Sequence, residues 1–209
     1  MSADGKKACF AYFIMGRSEN SRNRVFVKTD DGVIIYPFDA SKVKDPRLII
    51  YSPVKRTRGK IIVTNGDQTD TVFDYLNNGK TFEEALDTRS YEPDEPNFTP
   101  RISGILDING SFTYKLNILK ASMPTGGECF RGTFSYGAVK GLGHFIHTYV
   151  TDGNPIPSFV GEPERIAVPD SPDEFCGGIW DNLDEKQQSF ALRRIRRYRK
   201  RRNGKQNYQ

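Results

Sequence analysis

The chain has no run of 18 or more apolar residues, so no membrane-spanning helix is expected. The opening Met1-Ser2-Ala3-Asp4-Gly5-Lys6-Lys7 has neither a long apolar stretch nor a small-residue cleavage site, so no secretory leader is expected. Cysteine is scarce: Cys9, Cys129 and Cys176 are odd in number and widely spaced, which suits neither a disulfide framework nor a zinc knuckle. Reduced thiols in a cytoplasmic protein are the expectation. Histidine is scarcer still. His144 and His147 stand three apart on an expected strand, which points their rings to opposite faces and argues against a shared metal. The Gly-x-Ser-x-Gly elbow, the GxGxxG fingerprint and the P-loop ending are all missing, which removes the common hydrolase, dinucleotide and NTPase signatures.

Aromatic residues make up 12% of the 209, too many for a disordered chain, and the length suits one domain. The net charge of +5 is unevenly placed. Residues 193–209 hold nine Lys and Arg and no acid; without them 22 basic and 26 acidic residues remain, a body charge of −4. The alkaline isoelectric point therefore belongs to the end of the chain. The acidic body argues against a nucleic-acid-binding protein, although eight basic residues within 193–202 would bind phosphates nonspecifically.

Residues 8–16 (ACFAYFIMG) read as a buried strand. Strands follow at 24–28 and 33–38, joined by an Asp30-Asp31-Gly32 turn, and at 48–52 and 60–64 around a polar segment. Asp70 or Thr69 is expected to cap a helix running to about Leu76. Thr81-Phe82-Glu83-Glu84 is a capping-box pattern for a second helix. The proline-rich stretch 91–100 reads as extended loop. Strands resume near 101–107, 112–119, 130–136 and 143–150, with Asn109-Gly110 as a hairpin turn. Residues 151–178 read as irregular, and 180–200 as a helix with a ragged apolar stripe. The sum is an α+β fold with mostly antiparallel sheets.

Three segments carry more polar residues than folding needs. The loop Gly16–Arg24 holds Arg17, Arg22 and Arg24, whose guanidinium groups match phosphate oxygens. Thr64–Thr71 runs from a strand into a helix, where backbone N–H groups face an anion or polar ligand. Tyr91-Glu92-Pro93-Asp94-Glu95, leading to Thr99-Pro100-Arg101, can hold a carboxylate firmly for proton transfer.

In this order and spacing, five stretches resemble the archaeal-type inosine monophosphate (IMP) cyclohydrolase family. They are Ala11-Tyr12 with Arg17-Ser18 and Asn23-Arg24, Leu48-Ile49-Ile50-Tyr51, Thr64-Asn65-Gly66 with Thr69-Asp70-Thr71, Tyr91-Glu92, and Thr99-Pro100-Arg101-Ile102. His144-Phe145-Ile146-His147-Thr148-Tyr149 and Asp152-Gly153-Asn154-Pro155 resemble the bacterial branch. Each motif is weak alone; five in order are specific. The resemblance implies a four-layer αββα sandwich like that of N-terminal nucleophile hydrolases. It also implies ring closure of 5-formamidoimidazole-4-carboxamide ribotide to IMP in purine biosynthesis, with no cofactor and no metal. Arg24, Tyr51 and Glu92 fall on the family's active-site positions; Arg17, Asn65, Asp70 and Arg101 fall in matching motifs as substrate-binding candidates.

Residues 1–190 are expected to form the cyclohydrolase-like domain and 191–209 a basic tail, disordered or frame-altered. In the family a strand with a Tyr-x-Gly-Arg element precedes the matched stretch, so the strand at 8–15 is expected to have an unpaired edge. The expected partner is a nucleotide substrate, and the expected assembly a homo-oligomer without membrane. A nucleotide-binding relative without catalysis is the alternative.

Overall fold

The computed structural model describes residues 1–16, 19–43, 50–183, 191–192 and 195–197. In chain order the elements are β1 (Lys7–Cys9), β2 (Tyr12–Phe13), α1 (Glu19–Arg22), β3 (Val25–Lys28), β4 (Gly32–Tyr36), a short 3-10 turn (Ala40–Lys42), β5 (Val54–Thr57), β6 (Lys60–Thr64), α2 (Gln68–Asn77), α3 (Phe82–Asp87), β7 (Arg101–Asp107), β8 (Thr113–Met123), β9 (Gly126–Gly137), β10 (Leu142–Phe145), β11 (Glu164–Ala167), α4 (Pro172–Asp181), β12 (Ala191–Leu192) and β13 (Ile195–Arg197). Strands β3 to β9 form one seven-stranded antiparallel sheet in sequence order. Three two-stranded pairs accompany it: β1 with β13, β2 with β12, and β10 with β11. The α+β class and the dominance of antiparallel pairing agree with the expectation.

The large sheet buries both faces, and neighbouring residues divide between them as the pleat requires. Ile62 and Ile105 face α2 and α3, where Val72, Leu76, Phe82, Ala85 and Leu86 complete one core. Ile61 and Leu106, one residue away, face the opposite core with Ala8, Phe10, Val33, Val54 and Phe112. A third cluster on Tyr12, Ile35 and Tyr51 extends toward β2, with Phe26 and Val63 packed against it. Full burial of each large aliphatic here stabilises by about 1.5–3 kcal/mol.

Helix α3 starts where Thr81 predicts. The Thr81 hydroxyl accepts from Glu84 N at 3.1 Å, and Glu84 Oε2 accepts from Thr81 N at 2.7 Å. Thr81→Ala is expected to lower unfolding stability by about 1 kcal/mol, read as a lower urea midpoint with an unchanged slope.

Several expectations need correction. The strand expected at 8–16 is two short strands, and the one at 143–150 stops at Phe145. Of the strand expected at 48–52, residues 48 and 49 lie outside the described residues, and Tyr51 sits in irregular chain just before β5. The polar stretch after it is the real strand. Lys55 there lays its ammonium 4.9 Å from the Phe73 ring centroid, and Arg56 Nη2 donates to Asp30 O at 2.9 Å. Long basic side chains bury their stems in this way, so the strand lacks an apolar signature. Helix α2 starts after Asp67, whose side chain makes no capping hydrogen bond, and Thr69 and Asp70 lie inside it. Helix α4 and β11 lie in the stretch read as irregular, and strands β12 and β13 lie where a helix was expected. The signal for α4 was Ser171-Pro172-Asp173-Glu174, an N-cap serine with proline in the first turn and two acids after it. Strands β12 and β13 also fall in the segment read as a separate tail. There Ala191 pairs with Phe13 and Arg197 with Lys7, so β1 and β2 each have a partner on one edge.

Candidate active site

Beside β2, β3 and β5 two of the sequence candidates, Tyr51 and Arg24, meet Tyr12, which was not chosen as a candidate. Tyr51 precedes β5, and its backbone carbonyl accepts from Ile35 N of β4 at 2.9 Å. Its ring turns toward β2, where the Tyr51 and Tyr12 hydroxyls lie 2.8 Å apart. Arg24, at the entry to β3, donates from Nη1 to the Tyr51 hydroxyl oxygen at 3.4 Å, with its guanidinium carbon 5.9 Å from the Tyr51 ring centroid. Phe26 closes the group edge-on against Tyr12 at 6.1 Å. Burial raises the proton affinity of both phenols; Arg24 opposes it at each. Both tyrosines therefore stand as neutral hydrogen-bonding groups at neutral pH.

Glu92 belongs to the same neighbourhood, since its charge acts on both phenols and Arg24 acts on it. The proline-rich loop holds it through its backbone. Glu92 N donates to Thr99 O at 2.9 Å, and Thr99 is anchored in turn by Asp94 at 2.6 Å to its N–H and by the Tyr149 hydroxyl at 2.6 Å. The carboxyl is largely buried, and burial raises its proton affinity above the ordinary glutamate value. Arg101 and Arg24 pull the other way, while Asp94 and Asp67 reinforce the rise.

Arg101, the first residue of β7, is the hub beside it. Its Nη1 donates to Asp67 Oδ1 at 2.5 Å and Gln68 Oε1 at 2.7 Å, and lies 3.9 Å from Glu92 Oε1. Arg89 Nη2 also donates to Asp67 Oδ1, at 2.6 Å. Burial favours the neutral form of Asp67, but the hydrogen bonds and charges of Arg89 and Arg101 outweigh it and hold its carboxyl below the usual range. Arg101 is thus fixed by an ionised acid and stands at the outer limit of contact with Glu92, an acid that is harder to ionise.

The remaining candidates divide. Asn65 is close by, but its amide is used as a strut: Nδ2 donates to Pro100 O at 2.9 Å, while Oδ1 accepts from Ile102 N at 2.9 Å and Gln68 Nε2 at 3.0 Å. These bonds join the end of β6 to the start of β7 and so place Arg101. Asp70 points elsewhere, pairing with Lys55 at 2.8 Å on the exposed side of α2. Arg17 lies outside the described residues. Arg22 of the same loop donates to Gly16 O at 3.3 Å.

Gly66 has a local steric reason. A Cβ there would fall 2.6 Å from Arg101 Nη1 and from Gln68 Oε1, and 3.5 Å from Glu92 Oε1. Gly66→Ala is expected to lower stability by about 1–3 kcal/mol through overpacking. A melting temperature equal to that of the parent would show that the Arg101 side chain gives way freely.

The two histidines serve different neighbours. His144 Nδ1 lies 2.6 Å from the Tyr114 hydroxyl and its ring stacks on Tyr136 at 3.6 Å, whereas His147 Nδ1 lies 2.6 Å from Tyr149 O. Among the described residues, no group of three or more His, Cys, Asp or Glu is placed to hold a metal ion. No described helix is long and apolar enough to cross a membrane.

Sequence reasoning did not choose four residues of this cluster. Tyr12 sat within an apolar run, yet a hydroxyl in a buried strand demands a partner, and that was the available signal. Asp67 and Gln68 lay inside a flagged segment without being chosen. Arg89 carried no local signal, because its partner is 22 residues away.

Comparison with known proteins bears on this geometry. The family described as "IMP cyclohydrolase-like protein" matches residues 1–200. An IMP cyclohydrolase of Methanococcus aeolicus is 31% identical over 110 residues, covering 51% of this chain and 54% of that protein. An IMP cyclohydrolase of Methanothrix thermoacetophila is 31% identical over 93 residues, covering 43% of this chain and 46% of that protein. The chain spans about half the length of the curated relatives it matches.

Proposed function

The chain belongs to the IMP cyclohydrolase-like family, and from that premise we propose that it closes the second purine ring, converting 5-formamidoimidazole-4-carboxamide ribotide to IMP and water. The observation that carries this reading is the largely buried Glu92, 3.9 Å from Arg101 and within electrostatic reach of Arg24 and Tyr51, which are hydrogen-bonded to each other.

The substrate already carries its formyl group, so no one-carbon donor enters the step. The carboxamide nitrogen attacks the formyl carbon, and the resulting carbinolamine loses water. That nitrogen is a poor nucleophile because its lone pair is delocalised. Holding the two groups in contact contributes up to about 7–11 kcal/mol. Glu92 as carboxylate takes a proton from the attacking nitrogen and passes it to the formyl oxygen, giving the carbinolamine; it then takes the proton of the former formamido nitrogen as the new C=N forms and delivers it to the departing hydroxyl, which leaves as water. A carboxyl with raised affinity is better matched to both halves than an ordinary glutamate. Tyr51 donates to the formyl oxygen as charge develops there, and such a donor contributes about 3–4 kcal/mol. Arg24 and Arg101 orient the carboxamide or phosphate, and Arg17 and Asn65 support binding of the same substrate. Asp70, paired with Lys55, is the weakest of the binding candidates.

The same reading extends to architecture. An αββα order is supported by α2 and α3 on one face of the large sheet, and by β1 and β2 against the other. Phe13 of β2 stacks on Phe145 of β10 at 5.7 Å, and Lys7 Nζ donates to Asp170 O at 2.6 Å beside α4. The order so proposed would be that of N-terminal nucleophile hydrolases.

The test is incubation of the purified, chelator-treated chain with the formamido ribotide, with IMP identified chromatographically. IMP formation proportional to protein supports the reading. Saturable nucleotide binding without IMP would leave a binding protein in its place.

A further inference from the structure

We propose that Tyr12 is a positioning residue, which donates its hydroxyl hydrogen to the Tyr51 oxygen and so turns the Tyr51 hydrogen outward to the substrate. The inference rests on the cyclohydrolase reading and adds a residue to its machinery.

Tyr12 and Tyr51 are 8% and 7% exposed. Their oxygens are 2.8 Å apart, so one of them must donate. Tyr51 already receives Nη1–H of Arg24 at 3.4 Å, and a guanidinium only donates. A phenol oxygen has one hydrogen to give. Among the described residues, the hydroxyl of Tyr12 meets the Tyr51 oxygen as its hydrogen-bonding partner. In either direction one hydroxyl hydrogen lacks an acceptor among the described residues: that of Tyr12 if Tyr51 donates, that of Tyr51 if Tyr12 donates, and it is the Tyr51 hydrogen that the cyclohydrolase reading gives a use, at the formyl oxygen. With Tyr12 as donor, its own hydroxyl is satisfied, Tyr51 accepts twice, and the Tyr51 hydrogen is left for a ligand. Two donors to one phenol oxygen also withdraw charge from it, which makes Tyr51 a stronger donor. Packing holds the pair in register: Tyr12 is fixed on β2 by the edge of Phe26 at 6.1 Å, and Tyr51 by its backbone bond to Ile35.

The groups bearing on Tyr51 are Tyr12, Arg24 and Glu92, and only the first is altered in the test. Tyr12→Phe removes the hydroxyl and keeps the ring. Turnover is expected to fall about tenfold with KM for the formamido ribotide within twofold, because the lost polarisation matters chiefly as charge develops. In a Tyr51→Phe background the same substitution is expected to cost no further rate, a coupling that a purely structural role does not produce.

A readout independent of turnover uses protein labelled with carbon-13 at the tyrosine Cζ, with the Tyr51 signal assigned by its loss in Tyr51→Phe. Without the Tyr12 donor, Tyr51 is expected to titrate roughly one pH unit higher than in the parent. Installing 3-fluorotyrosine at position 12, a stronger donor of nearly the same shape, is expected to move it lower, and this covers a Tyr12→Phe protein that folds poorly. Tyr51 titration that stays put or moves the opposite way in both variants overturns the proposal. If the parent chain forms no IMP while these titrations shift as expected, the cyclohydrolase reading fails but the donor assignment stands.

Discussion

Glu92→Gln is expected to lower turnover of the formamido ribotide by about 10²–10⁴-fold while leaving nucleotide binding within about twofold. The amide keeps the size and the hydrogen-bonding reach of the carboxyl but cannot accept and return a proton. The substitution carries a second signature. The folded-state proton affinity of Glu92 is raised, so burial outweighs the attraction of Arg101 and Arg24. For such a group the favourable contribution to folding is fully present below the unfolded-state pKa and is lost as pH rises through the folded value. Once pH has passed the folded value the buried carboxylate is therefore a liability, so the melting temperature of Glu92→Gln relative to the parent should rise as pH climbs from the ordinary glutamate value through the folded one, and then level off. An inactive variant that also melts well below the parent at pH 8 would point to collapse of the site instead of loss of a proton carrier.

Tyr51→Phe is the second large effect, expected to lower kcat by about 10²–10³-fold with a much smaller change in KM. The reason is selective: a donor aimed at the formyl oxygen gains most when that oxygen acquires charge in the transition state. Removing the hydroxyl also deprives Tyr12 and Arg24 of an acceptor inside the core, so some stability is lost as well. The two consequences separate experimentally, because the stability loss leaves kcat per folded molecule untouched. An equal weakening of KM with kcat preserved would make Tyr51 a ground-state contact.

The parts of the fold legible in the sequence were those fixed by short-range chemistry. The Asp30-Asp31-Gly32 and Asn109-Gly110 turns and the Thr81 capping box announce themselves within a few residues. The misread parts depend on distant partners. Strand β5 looked polar because Lys55 and Arg56 find Asp70 and Asp30 O only in the folded chain. Strands β12 and β13 are two and three residues long, too short for a period of two to show, and they are strands only because β2 and β1 lie beside them.

The site divides in the same way. Tyr51 and Arg24, named from the residues, are hydrogen-bonded, and Glu92, also named, lies 3.9 Å from Arg101 and within electrostatic reach of Arg24. The stretch Thr64–Thr71 was flagged for backbone N–H groups facing an anion. What it supplies is Asp67, shared by Arg89 and Arg101, and Asn65, which ties two strands and thereby sets the hub. Distance in sequence is the physical reason this was hidden: Asp67 meets Arg101 across 34 residues.

The central claim is that a carboxyl of raised proton affinity, framed by two arginines and a buried tyrosine, moves the protons of ring closure. The pH dependence of kcat/KM for IMP formation by the parent chain tests it most directly. Arg101, Arg24, Asp94 and Asp67 all act on Glu92, and their balance with burial puts its pKa above the ordinary glutamate value. Glu92 must begin the reaction as a carboxylate, so activity should fall on the acid side through an inflection above that ordinary value, and the residual activity of Glu92→Gln should lack the inflection. An acid limb at the ordinary glutamate value, or one that persists unchanged in Glu92→Gln, would contradict the account.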